Sequence, residues 1–468
     1  MPFHPPQRYP ELPGLDVDPD NRLYAEVRQT LIQLGLDRDH VGTQRWNPLR
    51  DIVKPGMTVL IKPNTVSHKH WGDGDVFSLI THASVVRPLL DYVCLALEGK
   101  GRILLGDSQF LFSRFDEAMQ VSQIADLLVW FRGQTSIPVD CLDFRRQRAV
   151  ATWRGKLWGR CDVNKDPKGY VWVNLGDESH FRDVDHRKLR ISVSDPRAMR
   201  RHHSPQRHEY LLPQSVLDSD VIIHVPKMKT HRRGAVSLCI KSFMGLPADK
   251  DSLPHYTIGA PCEGGDQYIN ASWRKRLYTW LHDRFLMASC WPVQGVFAAL
   301  RRCVWATHRV VPFRDTVNES MWPGNDTLWR TLLDLVRIVC YADRNGCLQK
   351  TLQRRQFFLV DGIIAGQGNG PLEPTTLAAG ALVAGYDPVA VDAVTASWMG
   401  FDPEKIPVIR YGLLDDTLPR PLFTGTTSKL VIYTEDGVSN LSDFQRDWNL
   451  RFDPHPNWMG HVERPETA

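Results

Sequence analysis

The segment from Met57 to Leu105 constrains the fold more than any other part of this 468-residue chain. Residues 57–62 are mostly apolar, as in a buried strand, and residues 83–97 repeat apolar side chains at helical spacing. A second apolar strand is predicted over 102–105. Strand, helix and strand in this order predict a parallel α/β unit with a right-handed crossover.

The rest of the chain supplies more segments of both kinds. We therefore predict an α/β fold with a mostly parallel or mixed central sheet, flanking helices, irregular insertions and functional loops at the carboxyl ends of strands. Further strands are predicted at 221–225, 357–360, 381–384 and 429–433, and further helices at 23–34, 124–131, 271–300, 326–341 and 387–399.

The predicted organisation has three parts. Residues 1–50 form an N-terminal arm and helix, residues 51–440 form the α/β core, and residues 441–468 form a C-terminal tail. Two segments, about 115–215 and about 265–320, are expected to be insertions into the core. The first of them is predicted to be irregular or to form short antiparallel strands.

Charge and composition exclude several classes of protein. The chain has 57 basic and 53 acidic residues, a balance that argues against nucleic acid as the main partner. No apolar run is long enough to span a membrane, and no apolar leader is seen at the N-terminus, so a cytoplasmic location is predicted. Residues 286–300 are apolar but too short to span; we expect a buried helix there, with an amphipathic surface helix as the alternative.

The nine cysteines are dispersed, and none forms a CxxC pair. This spacing fits neither a disulfide framework nor an iron–sulfur cluster, so reduced thiols are expected and an iron–sulfur cofactor is not.

The strongest functional signal is a cluster of cations and donors after a predicted strand. Lys227, Lys229, Thr230 and His231 follow the apolar strand 221–225. Lys227 and Lys229 are two residues apart, so in an extended chain they point the same way. This pattern indicates binding of phosphate, carboxylate or an oxyanion, whereas a solvated basic loop is the alternative.

Other predicted strand ends add polar residues to the same layer. They contribute a third cation, carboxylates and a glycine-rich turn whose backbone N–H groups are able to cradle an anion, although a purely structural turn is the alternative. The predicted binding residues are Lys62, Asn64, Asp107, Ser108, Lys227, Lys229, Thr230, Asp361, Gly368, Asn369 and Gly370.

Three residues are candidates for catalysis. Lys241 lies among other cations, which lower the pKa of a lysine and make it a base or an amine nucleophile. His231 is a candidate acid–base group. Asp392, in an otherwise apolar helix, needs a partner if buried, and a lysine of the cluster is the obvious one.

Carboxylates among lysines also allow a divalent cation such as Mg²⁺ to be held together with substrate oxygens. The candidate ligands are Asp107, Asp361 and Asp392.

Six motifs together resemble one known family. They are VLIKPN, ITHASVVRPLLDYV, ILLGDS, DSDVIIHVPKMKTHRRGAVSLCIKSFMG, FFLVDGIIAGQGNGP and GYDPVAVDAVTASWMGFDPEKI, in this order between about residues 57 and 410. Each motif alone is weak, but the series resembles the DUF362 family, a domain of unknown function in bacteria and archaea. The resemblance implies an α/β protein and supplies no reaction.

This chain departs from the pattern of that family in two places. Many relatives look as if they carry a ferredoxin-type cluster segment, but this chain has no such run of cysteines. Relatives typically show Lys-Asn in the fourth motif, where this chain has Lys241-Ser242, so a role of that asparagine is not transferred.

The predicted function is that of an enzyme acting on a small anionic metabolite, with isomerase, transferase and lyase chemistry all open. The alternatives are a non-catalytic ligand-binding or scaffold protein of a biosynthetic pathway, and a metal- or redox-cofactor protein. The sequence leaves the oligomeric state open.

Overall fold

The computed structural model describes residues 3–153, 156–163, 165–312, 315–414 and 430–465. Its strands, in chain order, are β1 (Thr58–Pro63), β2 (Arg102–Asp107), β3 (Val139–Asp143), β4 (Gln147–Trp153), β5 (Lys156–Asp162), β6 (Tyr170–Asn174), β7 (Leu189–Arg190), β8 (His203–Ser204), β9 (Arg207–Pro213), β10 (Val221–Val225), β11 (Lys227–His231), β12 (Ala235–Ser237), β13 (Tyr256–Thr257), β14 (Arg355–Gln367), β15 (Thr375–Leu377), β16 (Ala381–Gly385), β17 (Ile432–Thr434) and β18 (Gly437–Ser439).

The α-helices follow the same chain order. They are α1 (Arg22–Gln33), α2 (Ala83–Leu97), α3 (Phe115–Val121), α4 (Ile124–Arg132), α5 (Pro196–His202), α6 (Gln214–Leu217), α7 (Cys239–Ser242), α8 (Trp273–Met287), α9 (Trp291–Ala306), α10 (Leu328–Tyr341), α11 (Pro388–Trp398), α12 (Pro407–Leu413) and α13 (Leu441–Asp447).

The central sheet is mixed but mostly parallel, which confirms the predicted α/β fold class. Strands β3, β2, β1, β10 and β14 lie side by side and are parallel. Beyond Pro226, β11 continues along β14 and is also parallel to it. Strands β12, β15 and β16 are antiparallel additions to this frame.

Both faces of the sheet are buried, which is why its strands are almost continuously apolar. Leu60 and Ile222 belong to a core on one face, together with residues of α10, α11 and α12. Ile61 and Ile223, one position further along, belong to a core on the opposite face, with α1, α2 and α4. The alternation of side chains along each strand thus divides the apolar residues between two helix layers.

Several predicted elements are confirmed closely. The predicted helix 83–97 is α2, and Asp387 caps α11 by accepting from the backbone N–H groups of Val389 and Ala390. The predicted strand 429–433 is represented by β17, whereas Lys429 lies outside the described residues. The predicted helix 271–300 is two helices, α8 and α9, separated by a short break.

The expectation of a buried helix over 286–300 is wrong for most of that segment. In α9, Gln294 and Ala298 are the buried residues, whereas Trp291 is 66% exposed. The surface alternative is the correct one, because α9 packs almost entirely on α8 and leaves most of its apolar side chains outside. Across the described residues, no helix combines the length and apolar character needed to cross a membrane.

The segment 115–215 is partly regular. Its strand β3 forms an edge of the central sheet, paired with β2. Beyond it, β4 and β5 form an antiparallel hairpin, and β6, β9 and β8 form a small antiparallel sheet. The short antiparallel strands expected from the sequence are therefore present.

Candidate functional site

The carboxyl ends of β1 and β2 and the start of β11 open onto one cavity of ≈ 840 Å³. In the parallel register, Lys62 lies opposite His224 and Pro63 opposite Val225, so that Lys62 and the following β11 reach the same edge of the sheet. Polar residues from separate strand ends meet there for this reason, as in other open α/β sheets.

Strand β11 presents alternate residues to the cavity. Lys227, Lys229 and His231 line it, whereas Met228 is part of the apolar core behind. Thr230 also faces away, and its Oγ1 donates to the carbonyl oxygen of Gly368 at 2.9 Å. The two-residue period of a strand therefore selects which donors reach a ligand.

Lys62 and Asp107 form a buried ion pair, with Nζ 2.9 Å from Oδ1. The other carboxylate oxygen of Asp107 accepts from the backbone N–H and the hydroxyl of Thr65 at 2.8 and 2.9 Å. A Cβ added at Gly245 would lie 2.2 Å from the Asp107 carboxylate, so the close packing there requires glycine.

Lys227 and Asp361 form a second buried pair, with Nζ donating to Oδ2 at 2.8 Å. Both side chains are 1% exposed. The two residues lie opposite each other in the β11–β14 register, so the pair also fixes the alignment of these strands.

Three further lysines have no carboxylate partner among the described residues. Lys229 donates to the carbonyl oxygen of Leu79 at 2.9 Å. Lys250 donates to the carbonyl oxygens of Ser108 and Met244 at 2.8 and 2.9 Å. Lys241 makes neither a hydrogen bond nor an ion pair within the described part of the chain, although it lines the cavity.

Burial and repulsion by neighbouring cations lower the pKa of these three amines. Burial and the neighbouring Lys241 and Lys227 charges lower the pKa of Lys229 to about 7. Burial and the Arg233 and Lys62 charges lower the pKa of Lys241 to about 8, and burial lowers the pKa of Lys250 to about 7. Each amine is therefore partly unprotonated near neutral pH, as a base or nucleophile requires.

Two histidines that line the cavity have opposite hydrogen-bonding roles. His231 Nδ1 accepts from the backbone N–H groups of Arg233 and Gly234, so its proton lies on Nε2. His255 Nδ1 donates to the carbonyl oxygen of Leu253 at 2.8 Å, which leaves Nε2 as an acceptor. Burial and nearby cations hold the pKa of both rings well below 6.5, so both are neutral.

Arginines complete the basic lining. Arg233 donates to Glu319 Oε2 at 2.7 Å and to the hydroxyl of Ser192 at 2.8 Å. Arg232 has no ion-pair partner among the described residues, and burial together with Arg233 lowers its pKa to about 10. Arg301 enters from α9, where its guanidinium lies 5.8 Å from the centre of the Tyr278 ring.

An aromatic shelf, formed by Trp71, Phe110 and Phe112, also lines the cavity. The ring centres of Trp71 and Phe110 are 5.7 Å apart, and those of Phe110 and Phe112 are 5.1 Å apart. The cavity therefore joins a basic region to an apolar, aromatic one.

Residues 181–397 match the family model described as Domain of unknown function (DUF362). Over this stretch the chain is similar to the DUF362 family. The DUF362 stretch includes β11, α7 and β14, with Lys227, Lys229 and Lys241, whereas Lys62 and Asp107 precede it. The family resemblance seen in the sequence is confirmed over this stretch.

Other comparisons add little. No curated protein matches the sequence. Among solved structures, a protein from Thermotoga maritima is similar at 10% identity and a TM-score of 0.30, over 78% of this chain and 55% of that one. This chain thus spans about half the length of that protein, and the likeness is too weak to inform the site.

Most of the predicted site residues lie together at the cavity. The residues in this group come from the DUF362 stretch and from the carboxyl ends of β1 and β2. They are Lys62, Asn64, Asp107, Ser108, Lys227, Lys229, His231, Lys241, Asn369 and Gly370.

Four predicted residues do not line the cavity, and each has a structural partner. Thr230 donates a hydrogen bond to Gly368, as described above, and Asp361 forms its ion pair with Lys227. Asp392 Oδ1 and Oδ2 accept from the backbone N–H groups of Cys239 and Ile240 at 2.7 and 3.0 Å. Asp392 therefore holds the start of α7, which carries Lys241, and its expected lysine partner is replaced by the backbone.

The candidate metal ligands are not brought together. Asp107, Asp361 and Asp392 have separate partners, and the described residues contain no group of three His, Cys, Asp or Glu side chains placed to hold a metal ion. Of the three, Asp107 alone lines the cavity.

The sequence interpretation missed part of the lining. Arg232 and Arg233 directly follow His231 in the DUF362 motif, so their position was itself a signal. Lys250 lies in the polar run PADKD, which resembles a solvated loop, and no local pattern reveals that its ammonium turns inward. Glu319 comes from the second predicted insertion and reaches the cavity through tertiary packing alone.

Proposed function

We propose that the cavity binds a small metabolite carrying phosphate or carboxylate groups, and that the protein is an enzyme acting on it. The observation that carries this proposal is the set of cations without a carboxylate partner in the described residues, namely Lys229, Lys241, Lys250 and Arg232. Lys229 is buried and the other three are partly buried, and an unpaired charge that is shielded from water is costly. An anionic ligand would offset that cost.

The size of the cavity supports an organic metabolite over a lone inorganic ion. Small-molecule sites usually enclose about 300–1,000 Å³, and this cavity has ≈ 840 Å³. The shelf of Trp71, Phe110 and Phe112 offers an apolar surface beside the cations, which favours a ligand with a planar or apolar part.

The chemistry favoured here is proton transfer next to an anionic group. Lys241 combines a free amine facing the cavity with a lowered pKa, so it is the preferred base or amine nucleophile. With Nδ1 engaged in each ring, His231 Nε2–H is left as a donor for a ligand oxyanion, and His255 Nε2 is left as an acceptor for a ligand hydroxyl or amine. Isomerase, lyase and transferase reactions all use such groups.

The test is ligand-induced thermal stabilisation of the full-length protein. Inorganic phosphate, pyrophosphate, nucleotides, sugar phosphates and dicarboxylates are added in turn, and the melting temperature is followed. We expect at least one organic anion to raise it, and Lys241→Met to reduce the effect at least about tenfold in ligand concentration, as loss of a charged contact does. Product analysis by mass spectrometry then distinguishes an enzyme from a binding protein.

Lys100→Met is the matched control, because Lys100 is exposed in the turn between α2 and β2, before the start of β2 and away from its carboxyl end, and has no side-chain partner in the described residues. It should respond to anions as the wild type does. Equal stabilisation of the wild type and Lys241→Met by every anion would contradict the proposal.

A further inference from the structure

Helices α8 and α9 form an antiparallel helical hairpin that continues to Val311, here called the 273–311 hairpin. Its two helices pack mainly on each other. The ring centres of Trp280 and Phe297 lie 6.1 Å apart and mark one line of contact between them. The hairpin lies in the segment predicted as the second insertion, and the proposed function above does not account for its outer surface.

Each helix of the hairpin exposes an apolar stripe. In α8, Trp273, Leu277 and Trp280 recur at helical spacing on one face, and Trp273 is 70% exposed. The corresponding residues of α9 are Val293, Val296 and Leu300, all exposed. Globular proteins rarely leave a continuous apolar surface of this kind without a partner.

The two stripes join into one surface. Trp280 belongs to the stripe of α8, and Phe297 lies next to Val293 and Val296 on the helical wheel of α9. The Trp280–Phe297 ring contact therefore brings the stripes side by side. Trp291, at the start of α9, and Val310 and Val311, just after it, are also exposed and extend the apolar character at both ends.

Cations flank this surface. Residues 273–311 contain seven Lys and Arg but one acidic residue, Asp283. Arg284, Arg302 and Arg309 are exposed and have no ion-pair partner in the part of the chain that the structure describes. The guanidinium of Arg284 lies 5.3 Å from the centre of the Trp280 ring, directly beside the apolar stripe.

We propose that the 273–311 hairpin is a membrane-surface anchor that lies in the interface of an anionic lipid bilayer. Tryptophan, leucine and valine on one face with arginines beside them are the composition of interfacial helices, where aromatic rings sit at the headgroup level and basic groups meet lipid phosphates. The helices lie in the interface and do not span it, in keeping with their length and charge.

Charge decides between a bilayer and a second copy of this chain. Two copies of this surface would bring their arginines face to face, with one acidic residue in each hairpin to offset them, and like charges facing each other across an interface are costly. An anionic bilayer instead satisfies the arginines and the apolar stripe together.

The anchor has a consequence for the cavity. Tyr278, His282 and Arg301 belong to the hairpin and line the cavity from that side. Docking the hairpin on a bilayer would therefore place the cavity next to the lipid surface. The membrane proposal rests on the outer face of the hairpin and does not depend on the proposed ligand.

The experiment is vesicle flotation of the full-length protein. Vesicles of phosphatidylcholine alone are compared with vesicles of phosphatidylcholine and phosphatidylglycerol, at low and high salt. We expect the wild type to float with the anionic vesicles, to float less at high salt, and to stay behind with the neutral ones. Two variants, Val296→Glu/Leu300→Glu and Arg284→Glu/Arg302→Glu/Arg309→Glu, should each bind at least about tenfold more weakly.

Matched controls carry the same charge changes elsewhere. Val129→Glu/Leu352→Glu alters an exposed valine of α4 and an exposed leucine before β14, and Arg8→Glu/Arg22→Glu/Arg45→Glu reverses three exposed arginines that have no ion-pair partner in the described residues. Both controls should float like the wild type.

Three results would overturn the proposal. These are failure of the wild type to float with anionic vesicles, equal loss of binding in the Arg8 control, and a dimer in sedimentation that becomes monomeric in Val296→Glu/Leu300→Glu while flotation is unchanged. Because the first result concerns the wild type alone, it does not depend on whether any variant folds.

Discussion

Two sets of lysines share the cavity and differ in what neutralises them. Lys62 and Lys227 each form an ion pair with a buried aspartate, at 2.9 and 2.8 Å. Lys229, Lys241 and Lys250 have backbone carbonyl oxygens as partners, or none, among the described residues. The positive charges of the first set are neutralised by carboxylates of the protein itself, whereas those of the second set are not.

The difference separates a structural from a functional arrangement. Paired lysines at strand ends fix neighbouring strands and would be needed whether or not a ligand binds. Unpaired lysines lower the stability of the empty protein, and such groups are usually retained because they act on a ligand. The comparison predicts opposite stability effects for removing one lysine from each set.

The largest effect should follow from Lys227→Met. The substitution leaves Asp361 buried, with one long backbone hydrogen bond from Ile363 at 3.3 Å as its remaining contact of note. Breaking a buried pair in this way costs about 3–5 kcal/mol. We expect a loss of that size in the free energy of unfolding at neutral pH, measured by urea denaturation.

The double variant Lys227→Met/Asp361→Leu is the control for this loss, because it removes both charges at similar volume. It should recover most of the stability, since replacing a whole buried pair by apolar residues is often neutral or better. If Lys227→Met alone were as stable as the wild type, the pair would not have the structural role assigned to it.

The two sets also differ in how well the sequence predicted them. The α/β frame, and the meeting of Lys62, Asp107 and Lys227 at one edge, follow from apolar strands that end in polar residues. The pairing could not be predicted, because it depends on strand order: β14 lies beside β11, so Asp361 is taken by Lys227. Likewise Asp392 caps α7 because α11 packs on it, a contact that spacing along the chain does not reveal.

The unpaired lysines are harder to predict for another physical reason. Whether a lysine is paired depends on every group within a few ångströms, and Lys250 reaches the cavity from a stretch with no regular pattern. The exposure of α9 was missed because apolar periodicity identifies a helix face but not what covers it.

A smaller effect of opposite sign is expected from Lys241→Met. Methionine keeps much of the side-chain volume but removes a partly buried charge that lacks a partner in the described structure. The empty protein should gain about 1–3 kcal/mol in the free energy of unfolding at pH 7, since one pKa unit corresponds to about 1.4 kcal/mol. Urea denaturation without added anions measures this gain, and Lys100→Met should show none. A clear loss of stability would place Lys241 in the structural set.

The smallest effect, and the most specific, is the pH dependence of that gain. The pKa of Lys241 is about 8 in the folded protein, lowered by burial from 10.5. Below pH 8 the amine is protonated in both the folded and unfolded states, so its full destabilising effect is present. Between pH 8 and 10.5 the folded state releases the proton while the unfolded state keeps it, so the wild type gains stability relative to Lys241→Met by about 1 kcal/mol per pH unit. The advantage of the variant should therefore shrink as the pH rises from 8, when both proteins are denatured with urea at a series of pH values. An advantage that stays constant to pH 10 would mean that Lys241 stays protonated in the fold up to that pH, and that the gain comes from the packing of methionine and not from the loss of a charge.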